Sequence, residues 1–134
     1  MAIELELLAP PREPMSLVDG LAVAAPSGLQ SCAYAPDGPG GKTALAEFLV
    51  RGVHDDGPGF EIAVLDAEQA IAVLCATVAA LTGDDIEAAA TAPDEARLAA
   101  LNPMAQDAVR ERLRHIVAPD PQAVTDRLRA LGLR

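Results

Sequence analysis

The chain has no tryptophan, one tyrosine (Tyr34) and two phenylalanines (Phe48 and Phe60), so aromatics make up only 2% of its 134 residues. Aromatic side chains for gripping a ligand are nearly absent. There is a single lysine, Lys42. The two cysteines, Cys32 and Cys75, have neither metal-ligand nor redox spacing. Cys75 lies in an apolar run and reads as a buried small hydrophobe. The first eight residues carry acids where a secretory leader needs positive charge. The longest apolar run, Ala70 to Leu81, falls short of the roughly 20 residues that a bilayer requires. These absences predict a soluble, cytoplasmic protein.

What is present points to a folded chain. Hydrophobic residues make up 51% and charged residues 22%, and the length suits one domain over 1–134 with a single core. That core must be built from Leu, Val, Ile and Ala, which favours close helix–helix contacts through alanine faces. The formal charge is −10. Nucleic-acid backbones and anionic membranes are repelled by such a surface, so both are excluded as partners. The charge is uneven: residues 1–109 hold 17 acids and 4 bases, whereas residues 110–134 hold 3 acids and 6 bases. The basic end reads as the solvated face of amphipathic helices, with head-to-tail self-association or a basic protein partner as alternatives.

Along the chain, Ile3, Leu5 and Leu7 alternate with Glu4 and Glu6, the pattern of a half-buried strand. Leu29–Tyr34 is a further strand candidate. Thr43–Val53 is ambiguous: Leu45, Phe48 and Leu49 have helical spacing, but Phe48–Val53 also pairs across the Asp56-Gly57 turn signal with the alternating run Phe60–Leu65, and a hairpin is favoured. From Asp66 the signals are helical. Asp66 and Gln69 form a capping-box pattern. The helix from about 67 to 82 is apolar all round, so it is buried on every face or partly covered by another subunit, and Gly83 suits its C′ position. Asp84 caps a short helix over 85–90, and Thr91 with Asp94 resembles another capping box, beginning a helix to about Leu101. Asn102-Pro103 opens a helix whose apolar stripe runs through Met104, Val109, Leu113 and Val117, with Arg114 and His115 at its C-terminal end. Asp120-Pro121 opens the last, with Val124 and Leu128 inside. The fold expected is α+β: a small antiparallel sheet from about 1–65, packed by helices over about 67–131.

One stretch carries a chemical motif. Gly38–Thr43 resembles the end of a phosphate-binding loop, G-x-x-x-x-G-K-[ST], in which backbone amides at a helix N-terminus and a lysine hold phosphates. Gly40, Gly41, Lys42 and Thr43 would be the phosphate-binding residues, and Asp66, after Ile62–Leu65, would stand where such proteins place their magnesium-holding acid. Four features oppose this: Pro36 occupies the first glycine position, Pro39 has no N–H to donate, Leu29–Tyr34 is too polar for a strand buried on both faces, and no strand pattern follows Leu65. A rigid structural turn is the favoured reading. His54-Asp55-Asp56 could ligate a metal but reads as a solvated loop. Ser31 or Cys32 with His54 could be assembled into a nucleophile and base, yet no spacing supports it.

The expectation is therefore a small acidic, non-enzymatic interaction or accessory protein (an assembly, chaperone-like or neutralising partner) with no cofactor, no metal and no catalytic residues. It would bind another, basic protein, with homo-oligomerisation also open. Met104, Val109, Leu113, Val124 and Leu128 are its candidate interaction residues, since amphipathic helix faces suit partner grooves. The alternative is a phosphate- or nucleotide-binding protein using Gly38–Thr43.

Overall fold

A computed structural model describes residues 17–38, 40–55 and 57–133. The order is β1 (Ala22–Val23), β2 (Gln30–Ala33), α1 (Gly41–Val53), β3 (Phe60–Ala63), α2 (Ala67–Thr82), α3 (Ile86–Thr91), α4 (Glu95–Ala99), α5 (Pro103–Arg112), β4 (Leu113–Val117) and α6 (Pro121–Ala130). The four strands form one sheet in the order β1-β4-β3-β2. Every pair is parallel, which overturns the antiparallel sheet expected from the sequence. The expected strand over 3–8 lies outside the described residues.

Two local misreadings explain the difference. The expected hairpin is a β–α–β unit: Gly41–Val53 is helical throughout and buries Leu45, Leu49 and Gly52 along one face. Ala44–Leu49 is rich in good helix formers, and a parallel pair needs such a crossover where a hairpin needs only a turn. The stripe expected as one helix from 103 to 117 is helical only to Arg112, and Leu113–Val117 is the strand β4. Arg114 and His115 therefore lie in a strand and not at a helix end. A β-bulge is the physical reason. Phe60 pairs with Leu113 but Glu61 pairs with His115, leaving Arg114 as the extra residue. The bulge places Leu113 and Ile116, three apart, on one strand face, a spacing identical to that of a helix. With a strand at 113–117, the separation into a β-rich first half and a helical second half also fails.

The helices pack against the face of the sheet carrying Phe60 and Ile62. Phe48 of α1 meets Phe60 edge-on, with ring centroids 5.2 Å apart. A Cβ on Gly52 would lie 2.7 Å from two Phe60 ring carbons, so glycine lets α1 seat this closely. Helix α2 is the centre of the helical layer and touches α1, α3, α4, α5 and α6. Its residues Ala70 through Ala80 are all buried, as its all-round apolar sequence implies. One chain alone supplies that burial. Its ends follow the sequence signals: the Asp66 carboxylate accepts from the Gln69 amide, and Gly83 is left-handed at the other end. Asn102 and Asp120 cap α5 and α6 as the sequence implies, whereas α3 and α4 are capped by Asp85 and Asp94 and not by the expected Asp84 and Thr91, the latter being the last residue of α3.

Four arginines of the C-terminal segment are engaged within the molecule, whereas Arg114 is exposed. Arg110 donates to the carbonyls of Leu17 and Asp19. Arg112 donates to those of Asp55 and Gly57. Arg127 joins Glu68 and Glu95, and Arg129 meets Asp19. No helix among the described residues is long and apolar enough to cross a membrane.

Candidate functional site

Polar and concave surface gathers at several places among the described residues. The first is the loop entering α1. It follows β2 and opens a helix within a β–α–β unit, the context a phosphate loop requires. Two sequence objections to that reading do not hold. Strands beyond Leu65 do exist, and β2 is polar because it is an edge strand with three of its four residues exposed. Gly40 occupies the N-cap with no side-chain cap bond. The side chains are less favourable. Thr43 Oγ1 donates to the Glu87 carboxylate at 3.2 Å, which engages the hydroxyl and brings negative charge beside the helix start. Asp66 is engaged in capping α2, its Oδ1 2.9 Å from the Gln69 amide. Lys42 sits half-buried in the first turn of α1.

The other sequence candidates resolve into structural roles. His54 is the C-cap of α1. Asp55 Oδ1 accepts from the Gly57 amide at 3.1 Å, a side-chain turn. Among the described residues no group of three His, Cys, Asp or Glu could hold a metal ion. Cys32 Sγ points to the Ala33 carbonyl, 3.7 Å away, and burial pushes its thiol pKa up. Of the five candidate interaction residues, Met104 is 81% exposed, whereas Val109, Leu113, Val124 and Leu128 lie in the core at 1% or less.

The second place is a cluster the sequence reading missed. Glu61 lies mid-strand in β3 on the face away from the helices, and it is fully buried. The segment 24–29 links β1 at one edge to β2 at the other and sets Ser27 over this carboxylate. The Ser27 amide donates to both Glu61 oxygens at 3.1 and 3.0 Å, and its hydroxyl donates to Oε1 at 2.9 Å. His115, the register neighbour of Glu61 on β4, places Nδ1 3.2 Å from Ser27 Oγ and 3.5 Å from Glu61 Oε1. The Ser27 hydroxyl donates to Glu61, so its proton is directed at the carboxylate while its oxygen stands beside His115 Nδ1. In a hydrolytic triad the serine and the acid meet opposite imidazole nitrogens. Here they share Nδ1, so the histidine cannot act as base toward this serine. The cluster is a polar staple that holds the crossing segment to the sheet.

The third place is a cavity of about 310 Å³ between α2, α3 and α4. Cys75, Val78, Ala79 and Leu98 floor it, and Ala88, Ala89 and Ala92 wall it. Alanine side chains leave the space that longer ones would fill. Asp84, Asp85, Asp94 and Arg97 form its polar rim. Arg97 is bound to Asp84 at 3.0 Å. The hydrogen bond from Thr82 and then that from Arg97 hold the Asp84 carboxyl below the usual carboxylate range. Asp85 and Asp94 each give one oxygen to a helix amide at 3.0 Å. Burial pushes the Cys75 thiol up, so it is present as thiol rather than thiolate.

No protein-family model, no curated protein and no solved structure matches the chain.

Proposed function

We propose that the chain is a small, acidic, non-enzymatic accessory protein that docks on a basic protein partner. One observation carries this reading: all of the arginines among the described residues except the exposed Arg114 bond to groups of the chain itself, while its carboxylates outnumber its bases two to one. Arg97, Arg127 and Arg129 pair with the chain's own acids, while Arg110 and Arg112 hold backbone carbonyls. The net charge of −10 is thus left for an outside partner of opposite sign, a complementarity that speeds encounter and selects the partner. The burial of α2 within one chain removes the main motive for a homo-oligomer. The reading places the protein in the cytoplasm, where two free thiols, Cys32 and Cys75, suit a reducing compartment. The test is capture from native lysate at low and high ionic strength, with size-exclusion chromatography and light scattering on the eluted species. A stoichiometric basic partner retained at low salt and released at high salt is expected. A strict monomer that retains nothing at low salt refutes the reading.

A second reading rests on the strand–loop–helix context of Gly40, Gly41, Lys42 and Thr43: the loop binds a phosphate group. Thermal shift with ATP, GTP and magnesium tests it. A shift that Lys42→Ala abolishes supports it, and no shift at millimolar ligand removes it.

A further inference from the structure

We propose that the cavity between α2, α3 and α4 seats an aliphatic side chain standing beside a lysine or arginine of the partner protein. This rests on the accessory-protein reading and deepens it. At about 310 Å³ the cavity lies at the small end of ligand pockets, so it takes a side chain rather than a large cofactor. Its floor and walls are apolar: Cys75 and Val78 are buried in α2, and the α3 wall consists of alanines. An apolar group entering it loses contact with water. The rim sets the sign of what lies next to that group. Three carboxylates face one guanidinium there, and that guanidinium is already bound to Asp84. Asp85 and Asp94 remain, each with a second oxygen that has no partner among the described residues. A fatty acid or an acidic peptide would meet like charge. An aliphatic group joined to a cation meets both the floor and the rim.

Both features can be removed without removing the fold. Asp85 and Asp94 are N-caps, and asparagine caps a helix as well as aspartate, so Asp85→Asn with Asp94→Asn deletes two charges and keeps the caps. Ala88 is an exposed helix position, and leucine there fills the cavity at little cost in helix propensity.

The experiment titrates wild type with n-hexylammonium, n-hexanoate and n-hexanol, following the backbone amides of Cys75 through Arg97 by NMR. The expected result is a saturable shift with n-hexylammonium and none with n-hexanoate. The double asparagine variant should weaken n-hexylammonium about fivefold, the worth of two exposed charge contacts, and Ala88→Leu should abolish binding. No saturable shift, equal binding of n-hexanoate, or unchanged binding in Ala88→Leu overturns the proposal. Lysate capture with the same variants separates this inference from the reading beneath it. A salt-sensitive partner held equally by wild type and Ala88→Leu keeps the accessory role and removes the cavity from it. Binding of n-hexylammonium with no protein captured by either removes the protein partner and overturns the proposal from the other side.

Discussion

Replacing Ser27 with alanine isolates what the staple on the back of the sheet contributes. The hydroxyl donates at 2.9 Å to a carboxylate with no exposed surface. A hydrogen bond to a charged group contributes about 1.5–3 kcal/mol. Two corrections lower that figure. The Ser27 amide keeps its contacts to both carboxylate oxygens, and Ser27 is itself exposed, so water can replace part of what is lost. The expected loss is about 1–2 kcal/mol. Urea unfolding followed by circular dichroism measures it: with a slope of about 1–3 kcal/mol per molar urea, the midpoint falls by about 1 M at unchanged slope. The cycle with His115→Ala should show coupling of about 0.5 kcal/mol or more, because both residues meet at one oxygen. A midpoint within about 0.3 M of wild type and no coupling would refute the claim that this network holds the 24–29 segment to the sheet.

Three further outcomes follow from the geometry. Gly59 has φ +100°, and a Cβ there would lie 2.6 Å from the Arg112 carbonyl oxygen, so Gly59→Ala should destabilise by about 3 kcal/mol or more in the same assay. Hydrogen bonds from Thr82 and Arg97 lower the folded pKa of Asp84; the stability it contributes is full above the unfolded value, about pH 4, and is lost as pH falls through the lower folded value. Melting curves from pH 6 to pH 2 should therefore show the gap between wild type and Asp84→Asn closing on the acid side. Cys75 is 7% exposed and its thiol is raised by burial, so iodoacetamide at pH 7.5 should modify it about tenfold more slowly than a free thiol, with urea restoring the rate; mass spectrometry locates the label.

The helix ends of this protein are written locally. Asp66 with Gln69, Asn102-Pro103 and Asp120-Pro121 each place a cap within three residues of the amide it serves, so the sequence alone located these starts. The apolar circumference of 67–82 likewise announced a buried helix, since no exposed face can be drawn on it. The candidate sites were less legible. The Gly40–Thr43 loop was visible as a motif, but the carboxylate of Glu87 that engages Thr43 lies 44 residues on. Nothing local marks Glu61 within the run Phe60–Leu65 as buried; its burial comes from Ser27, 34 residues earlier, and a histidine that meets Ser27 across 88 residues. The cavity exists because α2 and α3 bring alanines to face one another beside Leu98 of α4. Strand direction was decided the same way. A run such as Phe60–Ala63 alternates alike in either sheet; the helix crossing between β2 and β3 makes their pairing parallel, and the bulge gives β4 a helical spacing that hides it as a strand. Local chemistry fixes caps and periods because their partners lie within a turn. Pairing, burial of charge and concavity depend on contacts between distant segments, and those the tertiary structure alone decides.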